Sequence, residues 1–142
     1  MLIRILVVDD EAIVRNLVAG HLRSLGYLVE TADHGLSALG LMGKAKIDIV
    51  VTDLSMPVLD GIGLLGRIRE EYPLARVVVM TGFVTMENVL RCLRLGAFSF
   101  VCKPLDDLAP LEDAVGQAAR VLTTWMKQLS NLNRLKPRGV DA

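Results

Sequence analysis

Polar residues follow four short apolar runs in this sequence, and their types suggest chemistry at a shared site. Asp9 and Asp10 follow the run "ILVV", Asp53 ends "IVVTD", Thr81 follows "VVVM", and Lys103 follows "FVC". Three clustered carboxylates repel one another, so they need a cation or bound protons in order to coexist. A hard divalent ion such as Mg²⁺ prefers oxygen ligands and suits such a set, and we therefore expect Mg²⁺ as the cofactor.

The apolar runs are predicted to be β-strands because they are short and rich in β-branched residues. We expect five strands, at 3–8, 27–31, 47–52, 76–80 and 99–101. Because these strands are almost wholly apolar and alternate with helical patterns, they indicate an α/β fold with a doubly wound parallel sheet covered on both faces. Ligands of such a sheet collect at the carboxyl ends of its strands, where the polar residues stand.

The segments between the strands carry helical spacing. We expect helices at 11–26, 35–44, 61–72 and 85–96, with Thr85 as an N-cap, and a last helix from near 106. The first helix should bury a broad apolar face and end at Gly26. That face is made of Ile13, Val14, Leu17, Val18, Leu22 and Leu25.

The composition is that of one neutral domain. The chain has 142 residues with 16 basic and 16 acidic side chains, so no overall field exists to attract nucleic acid or an anionic membrane. The apolar start is interrupted by Arg4 and matches neither a signal peptide nor a spanning helix, which favours a cytoplasmic location. Cys92 and Cys102 lack metal-binding spacing and are expected to be reduced and buried, and His21 and His34 are not expected to be ligands.

Each polar residue also has a plainer interpretation. Asp10 and Asp60 could cap the helices that follow them, and for Asp60 we prefer that role. Thr81 alone could bond to nearby backbone, and Lys103 alone could be a solvated surface charge. The functional interpretation depends on the residues occurring together at neighbouring strand ends.

Four motifs together resemble the receiver domain of two-component response regulators. They are "ILVVDDE", "DIVVTDLSMPVLDG", "VVVMTGF" and "LGAFSFVCKPL", in that order over about residues 3–120. The resemblance implies a (βα)5 flavodoxin-like sheet with strand order 2-1-3-4-5 and an extended C-terminal helix. Within the family, the stretch 80–100 looks most like receivers of the NtrC type.

By this resemblance the chain is a phosphorylation-activated signalling switch. Asp53 corresponds to the phosphoacceptor, which takes a phosphoryl group from a histidine kinase. Asp10 is expected to ligate Mg²⁺ directly, Asp9 mainly through water, and Ser55 through its backbone carbonyl. Lys103 corresponds to the lysine that pairs with the acceptor carboxylate and then with the phosphoryl oxygens.

The same resemblance assigns a conformational switch. Thr81 corresponds to the hydroxyl drawn toward the new phosphoryl oxygens, and Phe100 to the aromatic residue that moves inward with it. Phe100 lacks the hydroxyl of the tyrosine found in many relatives, so only packing can distinguish its two states. Ser55 and Phe83 flank the acceptor, and the ring of Phe83 could hinder the water that attacks the acyl phosphate.

Other functions remain open at this stage. An aspartyl-phosphate phosphatase of the haloacid dehalogenase type would need a second aspartate where Ser55 stands. A pseudo-receiver, an interaction module without phosphorylation, is disfavoured by the complete set of site residues. A flavodoxin-like flavin binder is disfavoured because Asp9 and Asp10 would repel a phosphate.

The C-terminal segment carries a further apolar pattern, with the spacing of a coiled-coil contact. Apolar residues recur in steps of four and three, at Leu111, Val115, Ala118, Leu122, Trp125, Leu129 and Leu132. We expect a receiver domain at 1–122 and, at 123–142, an extension of the last helix that Pro137 and Gly139 end. Trp125, Leu129 and Leu132 should project beyond the domain and pair with a second copy or with the linker to an output domain.

Overall fold

A computed structural model describes residues 2–82 and 85–135 and shows five parallel strands alternating with five helices. The strands are β1 (Arg4–Val8), β2 (Leu28–Ala32), β3 (Ile49–Asp53), β4 (Arg76–Thr81) and β5 (Ser99–Cys102). Their order in the sheet is β2-β1-β3-β4-β5, which confirms the expected topology. Each predicted strand exists, with ends that differ by at most two residues from the expected ones.

The strand register places the carboxyl ends of the inner strands along one edge. Val8 pairs with Thr52, Asp53 with Met80, and Thr81 with Cys102. Strands β3 and β4 are each longer than predicted at this end, so Asp53 and Thr81 are their last residues. The side chains at these positions are therefore held by paired backbone rather than by free loops.

The helices cover both faces of the sheet. They are α1 (Ala12–Ser24), α2 (Gly35–Met42), α3 (Gly61–Glu71), α4 (Met86–Arg94) and α5 (Ala109–Leu135). Side-chain caps fix three of their starts: His34 accepts from Ser37 N, Asp60 from Gly63 N, and Thr85 from Asn88 N. The predicted capping roles of Asp60 and Thr85 are confirmed. In the described ranges, 2–82 and 85–135, no helix has the length and apolar character needed to span a membrane.

Two apolar layers lie on opposite sides of the sheet. One joins α1 and α5 to side chains such as Ile5, Val7 and Val51, and the other joins α2 and α3 to Leu6, Val8 and Val50. Alternate residues of β1 and β3 thus point into different layers, which is why these strands are apolar throughout.

The structure corrects two burial predictions. In α1 only Val18, Ala19 and Leu22 are buried, whereas Ile13 is 85% exposed and Leu17 and Leu25 are 46% and 41% exposed. The apolar pattern is wider than the stripe that a single helix can press against the sheet. Cys92 is buried as expected, but Cys102 is exposed because the last residue of edge strand β5 is not covered.

Helix α5 continues well past the sheet, as predicted. Leu111, Val115, Ala118 and Leu122 are buried, while Leu129 and Leu132 are 51% and 64% exposed. Trp125 does not project freely, because it packs against the core. The centre of its ring lies 4.7 Å from the guanidinium carbon of Arg76. The domain therefore holds α5 through Trp125, about one turn farther than the expected boundary at Leu122. Pro137 and Gly139 lie outside the described residues.

A glycine at the start of α3 allows the helix to approach the end of β3. A Cβ atom at Gly61 would lie 2.6 Å from the Cα of Leu54 and would collide with the backbone carbonyl oxygen of Asp53. Both neighbours are backbone atoms, so neither can move without displacing the residue after the strand. Gly66, one turn later in α3, has no atom within 4 Å of such a position.

We predict that Gly61→Ala and Gly66→Ala change stability in opposite directions. Gly61→Ala should lower the free energy of unfolding by about 1–3 kcal/mol through steric overlap. Gly66→Ala should raise it by about 0.5–1 kcal/mol, since alanine favours a helix interior where space is available. Urea unfolding of both variants measures the two changes, and a gain for Gly61→Ala comparable to that for Gly66→Ala would contradict the close approach.

Candidate functional site

Asp9 is the most deeply placed acid of the site. It follows β1, is 0% exposed, and its Oδ2 atom accepts a hydrogen bond of 2.9 Å from Lys103 Nζ. Its Oδ1 atom accepts one of 2.9 Å from the backbone N–H of Glu11. The ammonium group of Lys103, which follows edge strand β5, thus compensates the negative charge of the buried Asp9 carboxylate.

Asp53 ends β3 and shares the same lysine. The residue as a whole is 5% exposed, and Oδ1 of its carboxylate lies 3.5 Å from Lys103 Nζ. The ammonium group therefore lies between two carboxylates and is nearer to Asp9 than to the predicted acceptor. The Lys103 backbone N–H donates to Thr81 O at 2.8 Å, and the Lys103–Pro104 peptide bond is cis.

Asp10 completes a cluster of three carboxylates. Oxygen atoms of Asp9, Asp10 and Asp53 all lie within 4.8 Å of one another, and Asp10 is exposed. The N-cap of α1 is Glu11, without a side-chain capping bond, so Asp10 is not used as a cap. An all-oxygen set with one solvent-facing member fits Mg²⁺, which retains several of its waters.

The ionisation of the cluster reflects burial and repulsion. Burial is the largest cause and raises the pKa of Asp53, Lys103 lowers it, and Asp9 raises it again, so that the net pKa lies above the ordinary aspartate value. Burial alone would lower the pKa of Lys103, but the hydrogen bond that Lys103 donates to Asp9 and the charge of Asp53 bring the pKa above its ordinary value. The lysine therefore stays charged, while the charge on Asp53 is incompletely compensated.

A polar cavity opens beside Asp53. Its volume is about 350 Å³, and its described lining includes Asp53, Ser55, Thr81, Asn88 and Arg91. Thr81 is buried at the end of β4, and the Ser55 side chain is exposed on the other rim. The cavity gives a small charged group access to the Asp53 carboxylate from the side of α4.

Among the described residues, the other predicted positions are not members of the carboxylate cluster. Phe100 is in the middle of edge strand β5, pairs with Val79 and is 39% exposed. It is not among the described residues that line the cavity, and its exposure places it at the protein surface. Phe83 lies outside the described residues. His21 contacts Glu112 and His34 caps α2, so neither histidine joins the site.

Two site neighbours were not expected from the sequence. Arg15 Nη1 of α1 donates to the backbone carbonyl of Asp9 at 2.9 Å, and Arg91 of α4 lines the cavity. The only signal for Arg15 is its position one helical turn after Glu11, on the helix that begins beside the aspartate pair. Nothing in the spacing of α4 distinguishes Arg91 from Arg94.

Comparison with known proteins gives a family. The model of the response regulator receiver domain matches residues 5–115. The regulatory protein AtoC of Escherichia coli is 34% identical over 133 residues, which cover 92% of this chain and 28% of that protein. The chain spans 11% to 28% of the length of curated relatives at this level of similarity.

Solved structures agree with this result. The response regulator TrrA of Thermotoga maritima, solved in complex with Mg(2+)-BeF, has a TM-score of 0.75 and 30% identity, covering 82% of this chain and 99% of that one. The beryllofluoride-activated NtrC4 receiver domain dimer has a TM-score of 0.78 and 27% identity, covering 84% and 98%. Receiver domains are signalling switches of two-component systems rather than classical enzymes. On its motifs, its 2-1-3-4-5 sheet and the family match over residues 5–115, this chain belongs to the response regulator receiver domain family.

Proposed function

We propose that this chain is a phosphorylation-activated switch that accepts a phosphoryl group on Asp53 from a histidine kinase in the presence of Mg²⁺. The observation that carries the proposal is the position of the Asp53 carboxylate. It is nearly buried, lies 3.5 Å from the Lys103 ammonium, and has the oxygens of Asp9 and Asp10 within 4.8 Å. A cation-binding acidic cluster next to a fixed carboxylate and a lysine suits phosphoryl transfer better than metal storage.

The chemistry assigns a distinct part to each side chain. An Asp53 oxygen attacks the phosphorus atom, a new O–P bond forms, and the bond to the donor breaks with its electron pair leaving on the donor. Lys103 offsets the negative charge on the phosphoryl oxygens. Asp10 and Asp53, with the Ser55 backbone carbonyl, would hold Mg²⁺ directly, and Asp9 would hold it mainly through water. The ion, when bound, neutralises the charge that accumulates around the transferred group.

Phosphorylation is read out by Thr81 and Phe100. Thr81 ends β4 in the cavity that reaches Asp53, so its hydroxyl can bond to a phosphoryl oxygen. Phe100 is 39% exposed in the described structure, which corresponds to the state before the threonine moves. An inward ring changes the surface of α4, β5 and α5, and a partner that binds one surface better shifts the equilibrium.

The alternatives have less support. Ser55 stands two residues after Asp53, where a haloacid dehalogenase-type phosphatase would need an acid/base, so turnover of outside substrates lacks its proton donor. A pseudo-receiver would have no need of a lysine shared between two buried aspartates. Water hydrolyses the acyl phosphate on Asp53, and Ser55 and Phe83 control the access of that water. This self-hydrolysis is the only further catalysis we assign.

The distal part of α5 is a dimerisation or linker segment. Leu129 and Leu132 continue the buried stripe of α5 but are exposed, whereas Trp125 is held by Arg76 and the core. The segment available to a partner therefore begins after Trp125 within the expected region 123–142. The NtrC4 receiver, a structural neighbour, was solved as a dimer, which favours a second copy, and a linker helix to an output domain is the other candidate.

We predict that acetyl phosphate with Mg²⁺ adds one phosphoryl group to the wild type and none to Asp53→Asn. Intact-mass analysis measures the adduct. Asp60→Asn is a matched control, because Asp60 ends the loop that follows Asp53 and asparagine also caps helices well, so this variant should remain phosphorylated. An unmodified wild type with both acetyl phosphate and a phosphorylated histidine kinase would refute the acceptor assignment.

We predict that Asp53→Asn stabilises the metal-free protein at neutral pH. The folded-state pKa of Asp53 lies above its unfolded value, so the charged form costs stability at any pH above both values. The advantage of asparagine should shrink as the pH falls through the folded pKa and vanish below the unfolded pKa of about 3.9. Thermal unfolding at a series of pH values measures this dependence.

Asp33→Asn is the control for this pH series. The hydrogen bond from Ser37 lowers the pKa of Asp33, so its charged form is favoured in the folded state. Asp33→Asn should therefore give no gain at neutral pH. Equal gains for the two variants would mean that the removal of any negative charge stabilises the protein, and that Asp53 is not special.

We predict that the paired substitution Leu129→Ser and Leu132→Ser reduces self-association. Each leucine buried against a second copy would contribute roughly 1.5–3 kcal/mol, and serine removes that contribution. Light scattering of phosphorylated and unphosphorylated protein measures the mass, with Gln128→Ser and Asn131→Ser on exposed neighbouring positions as control. A monomer under all conditions, or a dimer that persists in the leucine variant, would remove this segment from the mechanism.

A further inference from the structure

Asp9 is held at every polar atom that it has. Its N–H donates to Ala32 O at 3.2 Å, and its two carboxylate oxygens accept from Glu11 N and Lys103 Nζ. Its carbonyl oxygen accepts the 2.9 Å hydrogen bond from Arg15 Nη1. Three of these bonds come from backbone or from the site lysine, and Arg15 alone comes from the surface of α1.

The carbonyl that Arg15 holds belongs to the same planar unit as the N–H of Asp10. Fixing that oxygen fixes the rotation of the peptide between Asp9 and Asp10, and with it the starting direction of the Asp10 side chain. Asp10 is exposed, and within 2–82 and 85–135 its carboxylate makes no hydrogen bond of its own. Its direction toward the cluster is therefore set by backbone.

Arg15 is itself well fixed. Its backbone N–H donates to Glu11 O at 2.9 Å in the first turn of α1, and its side chain is partly buried. The guanidinium group thus connects the start of α1 to the strand end that carries the aspartate pair. The same helix also has a second arginine with an equivalent bond: Arg23 Nη2 donates to Val29 O at 3.0 Å.

We propose that Arg15 is a positioning residue for the metal site, which aims the Asp10 carboxylate at Mg²⁺ by holding the carbonyl of Asp9. The inference rests on the proposed function, since it takes the three-aspartate cluster to be the Mg²⁺ site. Arg15 does not touch the ion or the transferred group. It acts on the geometry of the ligand that does.

A positioning role and a simple charge effect predict opposite changes in Mg²⁺ affinity when Arg15 is replaced. A guanidinium group near the cluster repels a divalent cation, so removing its charge should tighten Mg²⁺ binding if charge were its only influence. Removing a support for ligand geometry should instead weaken binding, and supporting contacts of this kind are typically worth about 10–100-fold in metal affinity. The direction of the change therefore separates the two roles.

The experiment is a Mg²⁺ titration of the full chain followed by amide NMR shifts. Arg15→Met should raise the Kd for Mg²⁺ about tenfold. Arg15→Lys, which keeps a cation with N–H donors, should restore most of the affinity. Arg15→Gln, too short to reach the carbonyl, replaces Arg15→Met if that variant does not fold. Arg23→Met, which loses the same charge and the same type of bond on the same helix, should bind Mg²⁺ like the wild type.

The phosphorylation rate supplies a second readout. With acetyl phosphate, Arg15→Met should need about tenfold more Mg²⁺ for half-maximal rate but should reach a rate near that of the wild type at saturation. Tighter or unchanged Mg²⁺ binding in Arg15→Met, or in Arg15→Gln in its place, would overturn the proposal, as would an equal loss in Arg23→Met. If neither the wild type nor Asp10→Asn bound Mg²⁺, that result would contradict the proposed function itself rather than the role of Arg15.

Discussion

The contact of one ammonium group with two buried carboxylates is the constraint on which the site depends. Asp9 follows β1 and Asp53 ends the neighbouring strand β3, and two carboxylates this close could not both keep their charges in a poorly solvated place without a cation. Lys103 supplies it from the end of β5, two strands away from β3. Its backbone bond to Thr81 O fixes the base of the side chain that crosses the end of β4. The lysine thereby links three strand ends into one electrostatic unit.

The apolar sheet makes this arrangement rigid. Residues of β1, β3 and β4 alternate between two packed layers, so a displacement of any strand would disturb both cores. The close approach of Gly61 to the backbone of Asp53 and Leu54 adds a contact from α3 directly at the end of β3. The carboxylate is therefore presented by packed backbone, and charge compensation is left incomplete at Asp53, the member of the three-aspartate cluster that lines the cavity.

The sequence predicted the elements and the cluster because both follow from local patterns. Apolar runs with polar ends identify buried parallel strands, and parallel strands bring Asp10, Asp53 and Lys103 to one edge. The errors concern features that depend on tertiary position. Cys102 is exposed at the end of edge strand β5, and Ile13 lies outside the narrow stripe of α1 that reaches the sheet. Arg15 and Trp125 act through long side chains whose partners, Asp9 O and Arg76, are set by packing rather than by spacing.

The distribution of exposed apolar side chains explains how a neutral chain can be recognised. With 16 basic and 16 acidic residues, long-range steering contributes little, so association must depend on short-range contacts near the site. One surface of this kind adjoins Lys103: a cavity of about 480 Å³ is lined by Val14 and Leu17 of α1 and by Pro104 and Leu105. Leu90, Leu93 and Phe100 are exposed on α4 and β5, beyond the polar cavity. The two apolar surfaces lie on different elements: one on α1 and the residues after β5, the other on α4 and β5 itself.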